Sequence, residues 1–96
     1  MLVTKKEIKK DVKDIKTLIK AYKVVQYDET VVALELCSVI YNKGLNFYYK
    51  VLDYLTERKV TYDLKHLNKL LDDLKSQANV FRVECLIAYV IGYLNL

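Results

Sequence analysis

The chain has 96 residues, a net charge of +4 and 53% hydrophobic residues, with no proline and two glycines. All-β domains need turn residues at short intervals, so this composition excludes them and favours one domain, residues 1–96, built from a few long helices. So large an apolar share in so short a chain also indicates burial against another chain.

The first predicted helix spans about residues 4–25. Thr4 and Glu7 form a capping box, in which the threonine oxygen accepts a backbone N–H and the glutamate reaches back. The apolar residues that follow recur every three or four positions, which predicts one narrow core-facing side. They are Ile8, Val12, Ile15, Ile19 and Tyr22.

The charged residues of this helix are sorted by sign. Residues 5–23 hold eight lysines against Glu7, Asp11 and Asp14, a net charge of +5 in a chain that totals +4. At about 100° per residue, the lysines occupy one flank and the acids the other. Such one-sided cations form a candidate site for phosphates or an acidic partner. We call the following residues the lysine flank: Lys6, Lys9, Lys10, Lys13, Lys16 and Lys20.

The second predicted helix spans about residues 29–57, with Asp28 as its N-cap. Its apolar spacing passes straight through Gly44, which favours one helix over two shorter helices separated by a glycine cap. The residues predicted to face the core are Val31, Leu34, Ser38, Tyr41, Leu45, Tyr48, Leu52 and Leu55.

The third predicted helix spans about residues 62–95, with Thr61 or Asp63 as its cap. Its apolar spacing continues across Asn79, although a break at residues 77–79 is the main alternative. The residues predicted to face inward are Leu64, Leu67, Leu71, Leu74, Ala78, Phe81, Cys85, Ala88 and Gly92.

Both connections are short, and short connections make neighbouring helices antiparallel. We therefore predict an all-α fold, an antiparallel bundle of three long helices. Breaks near Gly44 and Asn79 would turn the same pattern into four or five helices.

The end of the chain predicts a homodimer. Residues 80–96 are apolar in every direction around the helix, and such a helix must be covered on all sides. Two partner helices of the same chain do this poorly, so a second copy is expected, although a single well-covered central helix is the alternative. The predicted dimer interface consists of Ala78, Phe81, Cys85, Ala88, Tyr89 and Gly92.

This ending, NVFRVECLIAYVIGYLNL, resembles the last helix of an uncharacterised family of small archaeal helical-hairpin proteins. The likeness covers about the last third of the chain and implies only a helical type of fold, with no activity. The proline-free composition, rich in lysine, isoleucine and tyrosine, likewise resembles small proteins of archaea and their viruses.

A set of convergent catalytic groups is not evident. The single histidine, His66, lies beside the leucine positions and is interpreted as a surface or edge residue. Zinc sites need clustered Cys or His, and Cys37 and Cys85 have no second ligand nearby in the sequence. We therefore expect no enzyme activity, no metal and no cofactor. The cysteines are expected to be core thiols, with a Cys37–Cys85 disulfide as the alternative.

The expected location is the cytoplasm. The beginning of the chain lacks the apolar stretch of a signal peptide, and a reducing compartment suits two buried thiols. The apolar residues 80–96 are fewer than the roughly 20 that cross a bilayer, so no membrane association is expected.

Two functions follow from these features. The first is a non-enzymatic, homodimeric interaction or adaptor module that presents a face to another protein. The second is a nucleic-acid-binding regulatory protein that contacts phosphates through the lysine flank. Base readout usually draws on Arg, Asn or Gln, which the first helix lacks, so such binding would not depend on nucleotide sequence.

Overall fold

The computed structural model describes residues 2–60 and 64–96, and every regular element in them is a helix. The all-α prediction is therefore confirmed. The helices are α1 (Lys5–Val25), α2 (Thr30–Glu57), α3 (Leu64–Ser76) and α4 (Val80–Leu94).

Helix α1 packs as predicted, and of its predicted capping box the bond to the Thr4 side chain is present. The Thr4 hydroxyl oxygen accepts the Glu7 backbone N–H at 3.1 Å, which satisfies one of the free donors at the helix start. Four of the predicted core residues are buried and Tyr22 is half-buried. The buried residues are Ile8, Val12, Ile15 and Ile19.

Helix α2 runs unbroken through Gly44, so one continuous helix is confirmed here. The predicted N-cap at Asp28 is wrong. The cap position is Glu29, whose side chain makes no capping bond, and the Ala33 N–H bonds to the Glu29 carbonyl at 2.9 Å. Asp28 belongs instead to the turn, where its N–H donates to the Val25 carbonyl at 3.2 Å.

The predicted core side of α2 is correct for Tyr48 and Leu55, which are buried, and wrong for the first turns of the helix. Val31 and Leu34 are 70% and 64% exposed, and Ser38 is exposed too. Helix α2 is apolar on two adjacent sides, so the spacing of its apolar residues alone does not show which side is buried. The residues that face the core are Ala33, Ile40, Gly44, Phe47, Tyr48, Val51 and Leu55.

The single long helix predicted over residues 62–95 is wrong, because the chain breaks between Ser76 and Val80. Asn79 has extended backbone angles, and its Oδ1 accepts the Arg82 N–H at 2.9 Å. Asparagine is among the best N-cap residues, so it starts a new helix more favourably than it continues the old one. The predicted caps Thr61 and Asp63, and the predicted start at residue 62, lie outside the described residues.

The core-facing side predicted for α3 does not continue into α4. Leu67 and Leu74 of α3 are buried as predicted, but Ala78, Phe81, Ala88 and Gly92 are exposed. The break resets the rotation of the chain, so another side of α4 meets the core. Its buried residues are Val80, Val83, Leu86, Ile87 and Val90.

The four helices alternate in direction. Lys50 pairs with Asp11 at 2.8 Å, and the Val3 N–H donates to the Glu57 carboxylate at 3.2 Å, so α1 and α2 are antiparallel. Helix α4 packs on α2 and on α3. One apolar core draws side chains from all four helices. Except for Ala33, the buried residues of α2 begin at Ile40, so its first two turns extend past the bundle.

A buried tyrosine links α2 to α3. The Tyr48 hydroxyl donates to the Asn68 Oδ1 at 2.6 Å, while the Tyr48 side chain is almost fully enclosed. Burial raises the pKa of Tyr48 above the ordinary tyrosine value of about 10, because the phenolate would lose its hydration. Tyr48 therefore supports the fold in its neutral form.

We expect Gly44→Ala to destabilise the protein by about 1–2 kcal/mol. A β-carbon at position 44 would lie 3.0 Å from Val83 Cγ2 and 3.3 Å from Val83 Cγ1, and the buried, β-branched Val83 has little freedom to move. Urea unfolding measures the change. Gly92→Ala, measured at a protein concentration low enough to keep the chain monomeric, is the matched control, since nothing in the same copy lies within 4 Å of its added methyl group, and it should gain up to about 1 kcal/mol of helix propensity. In a Val83→Ala background, Gly44→Ala should stabilise. A stabilising Gly44→Ala in the wild type would contradict the close contact.

We expect the stability contributed by Tyr48 to be fully present below pH 10 and lost at higher pH. The folded pKa lies above the unfolded value, so the unfolded chain loses this proton first as the pH rises. Tyr48→Phe should cost about 1 kcal/mol at pH 7 and should reduce the fall in stability as the pH rises above about 10. Urea unfolding at pH 7, 9, 10.5 and 11 tests both effects, with Tyr27→Phe, at an 87% exposed tyrosine, as the control. An unchanged alkaline slope in Tyr48→Phe would contradict this assignment.

Candidate interaction surface

The packing of α1 explains why its charges are sorted. The acidic flank lies beside α2, where Asp11 pairs with Lys50. Asp14 lines a small cavity of about 180 Å³ together with Lys43. The acids of α1 therefore lie next to lysines of its own hairpin partner, and the lysine flank is left on the opposite side of the helix.

All six residues of the lysine flank are exposed, and none forms an ion pair with the part of the chain that the structure describes. Lys23, which ends the basic run, differs because its Nζ lies 3.0 Å from a Glu84 carboxylate oxygen of α4. The lysine flank is thus a real cationic surface whose charges have no counter-charge within 4 Å among the described side chains.

The lysine flank borders a groove between α1 and α4. The groove has a volume of about 350 Å³ and adjoins a smaller recess of about 230 Å³. Apolar side chains of both helices form its floor, and lysines of α1 stand along one edge. The groove is lined by Lys9, Val12, Lys13, Lys16, Thr17, Ile91 and Leu96, and the recess by Lys16, Glu84, Ile87, Ala88 and Ile91.

The residues predicted to form the dimer interface lie on the outer side of α4, except for Ala78, which precedes that helix. Phe81 is 59% exposed, Ala78, Ala88 and Gly92 are exposed, and Cys85 and Tyr89 are half-buried. Of these, Tyr89 contacts the ring of His66 at 4.5 Å and the ring of Tyr93 at 5.7 Å. A single copy of the chain therefore leaves this side of α4 accessible.

A third surface lies at the end of the bundle, where α1 and α2 extend past the other helices. We call residues 24–39 the overhang. It carries exposed apolar side chains at Val24, Tyr27, Val31 and Leu34, together with the acids Asp28, Glu29 and Glu35. Sequence analysis did not identify it as functional, because Val31 and Leu34 had been assigned to the core.

The histidine and the two cysteines lie apart from any metal-binding group in the described residues. No group of three or more His, Cys, Asp or Glu side chains in residues 2–60 and 64–96 is placed to hold a metal ion. His66 is exposed at the edge of the bundle, as predicted. Cys37 and Cys85 are free and half-buried, so the disulfide alternative is wrong. A hydrogen bond with Cys37 raises the pKa of Tyr22 above its ordinary value.

None of the described helices combines the length and the apolar character needed to cross a membrane. Comparison with protein-family models, with curated proteins and with solved structures finds no match. The likeness of the C-terminal segment to small archaeal proteins therefore stays a prediction.

Proposed function

We propose that the protein is a homodimeric interaction module without enzymatic activity. The observation that carries this proposal is the amount of apolar surface that one copy leaves in contact with water. Val31, Leu34 and Phe81 are each more than half exposed. Exposed apolar surface of this kind marks sites of association with another protein.

The outer side of α4 supports a second copy as the partner. Ala88 and Gly92 are small and exposed one helical turn apart, so the backbone of another helix could approach closely there. Phe81, two turns before Ala88, provides a large apolar anchor on the same side of the helix. Closed two-fold dimers are the commonest assemblies of a single chain.

We expect the wild-type protein to dimerise at micromolar concentration and Ala88→Glu to raise the dimer dissociation constant at least tenfold, about 1.4 kcal/mol. A glutamate on the outer side of α4 would be desolvated in the dimer but hydrated in the monomer. Sedimentation equilibrium measures the constant. Ala21→Glu is the matched control, since Ala21 is exposed on α1. A wild-type monomer at tens of micromolar would refute the proposal.

A second candidate function is sequence-independent nucleic-acid binding, which is supported by the exposed and unpaired lysine flank. Cations placed against phosphates release counterions, so the affinity should fall steeply as the salt concentration rises.

For this second function we expect binding to duplex or single-stranded nucleic acid at low salt, with an affinity that decreases between 50 and 200 mM salt. Replacing Lys6, Lys9, Lys13 and Lys20 by glutamine should flatten the salt dependence by up to about four counterions. Fluorescence anisotropy measures the binding. The control replaces Lys43, Lys65, Lys69 and Lys75, which lie on other helices. Undetectable binding at low salt would exclude the function.

A further inference from the structure

The groove and the overhang have complementary chemistry. The groove has an apolar floor and an edge formed by Lys9, Lys13 and Lys16. The overhang has exposed apolar side chains and three acids, and no lysine or arginine occurs between Lys23 and Lys43. Each surface therefore offers both the apolar contact and the charge that the other lacks.

The shapes of the two surfaces also match. A groove between two helices commonly accepts a third, amphipathic helix whose apolar residues repeat every three or four positions. The first turns of α2 are such a helix, since Val31 and Leu34 are three residues apart and both are exposed. Glu35 follows Leu34 directly, which places a carboxylate beside the apolar pair.

The overhang cannot reach the groove of its own chain. Lys13 and Tyr27 are separated by 14 residues that are almost wholly helical, a distance of roughly 21 Å along α1 at about 1.5 Å per residue. The overhang begins at the far end of α1 and continues through a short turn into α2, so only another molecule can bring an overhang to the groove.

We propose that the overhang of one copy docks in the groove of a second copy. Val31 and Leu34 pack on Val12, Ile91 and Leu96, while Asp28 and Glu35 face Lys9 and Lys13. In a closed two-fold pair this contact occurs twice. The inference rests on the proposed homodimer and adds the groove and the overhang to its contact surfaces, next to Ala88 of α4, which lines the adjoining recess.

The remaining charged groups at the groove do not oppose this arrangement. Glu84 lies in the adjoining recess, where it is bonded to Lys23. Lys16 stands at the junction of the groove and the recess and adds to the positive edge. The acids Asp11 and Asp14 lie on the other flank of α1, beside α2.

A charge exchange between two variants tests the contact. One variant carries Lys9→Glu and Lys13→Glu in the groove, and the other carries Asp28→Lys and Glu35→Lys in the overhang. Each variant alone should dissociate at least tenfold more readily than the wild type, because like charges then meet. An equimolar mixture should recover the wild-type affinity, since each reversed surface meets its reversed partner. Sedimentation equilibrium with one fluorescently labelled variant reports the mixed species, and urea unfolding shows that each variant is folded.

The controls separate this inference from the proposed function. Reversal of Lys65 and Lys69, exposed on α3, is the matched control and should leave the dissociation constant unchanged. If the wild type dimerises but both reversed variants retain its affinity, or if the mixture recovers nothing, docking in the groove is refuted and the homodimer stands. If the wild type is monomeric, the proposed function is refuted as well.

Discussion

The contact between α2 and α4 at Gly44 and Val83 determines most of the remaining structure. Without a side chain at position 44, the two helices approach until the valine methyl groups would touch an added β-carbon at 3.0–3.3 Å. This contact lies in the middle of α2, so α4 and its hairpin partner α3 cover the second half of α2 and leave the first turns uncovered. The overhang is therefore the result of where the glycine stands in α2.

The same placement accounts for the lysine flank. Helix α4 packs mainly on α2 and α3 and meets α1 across a groove, so the α4 side of α1 is not sealed by close packing. Lysine side chains suit such an edge because their apolar stems can line it while the ammonium groups stay in water. The other flank of α1 meets α2, where carboxylates facing Lys43 and Lys50 are compatible with packing. The acids and the lysines of α1 are therefore separated because one flank packs on α2 and the other borders an open groove.

Local signals in the sequence were sufficient for α1 and for the continuity of α2, and they failed where tertiary packing decides. The Thr4 cap and the Ile8 to Ile19 spacing depend only on neighbouring residues. The buried side of the first half of α2 could not be predicted, since Val31 and Leu34 repeat as regularly as Ile40 and Gly44. The apolar spacing continues without a break across Asn79 and so predicted one helix, whereas the Asn79 side chain caps the start of a new one. The lysines were found by their charge, whereas the groove beside them depends on how α4 lies against α1.

The uncapped start of α2 has a consequence for how tightly any partner can bind there. Glu29 provides no side-chain acceptor, so the backbone N–H groups of the first turn of α2 depend on water, and little of the core holds that turn in place. Such a segment opens at a free energy well below that of global unfolding, and its amide hydrogens exchange early. A partner that docks on it must first order it, and part of the contact energy is used for that ordering. The proposed association through this end of the molecule would therefore be readily reversible.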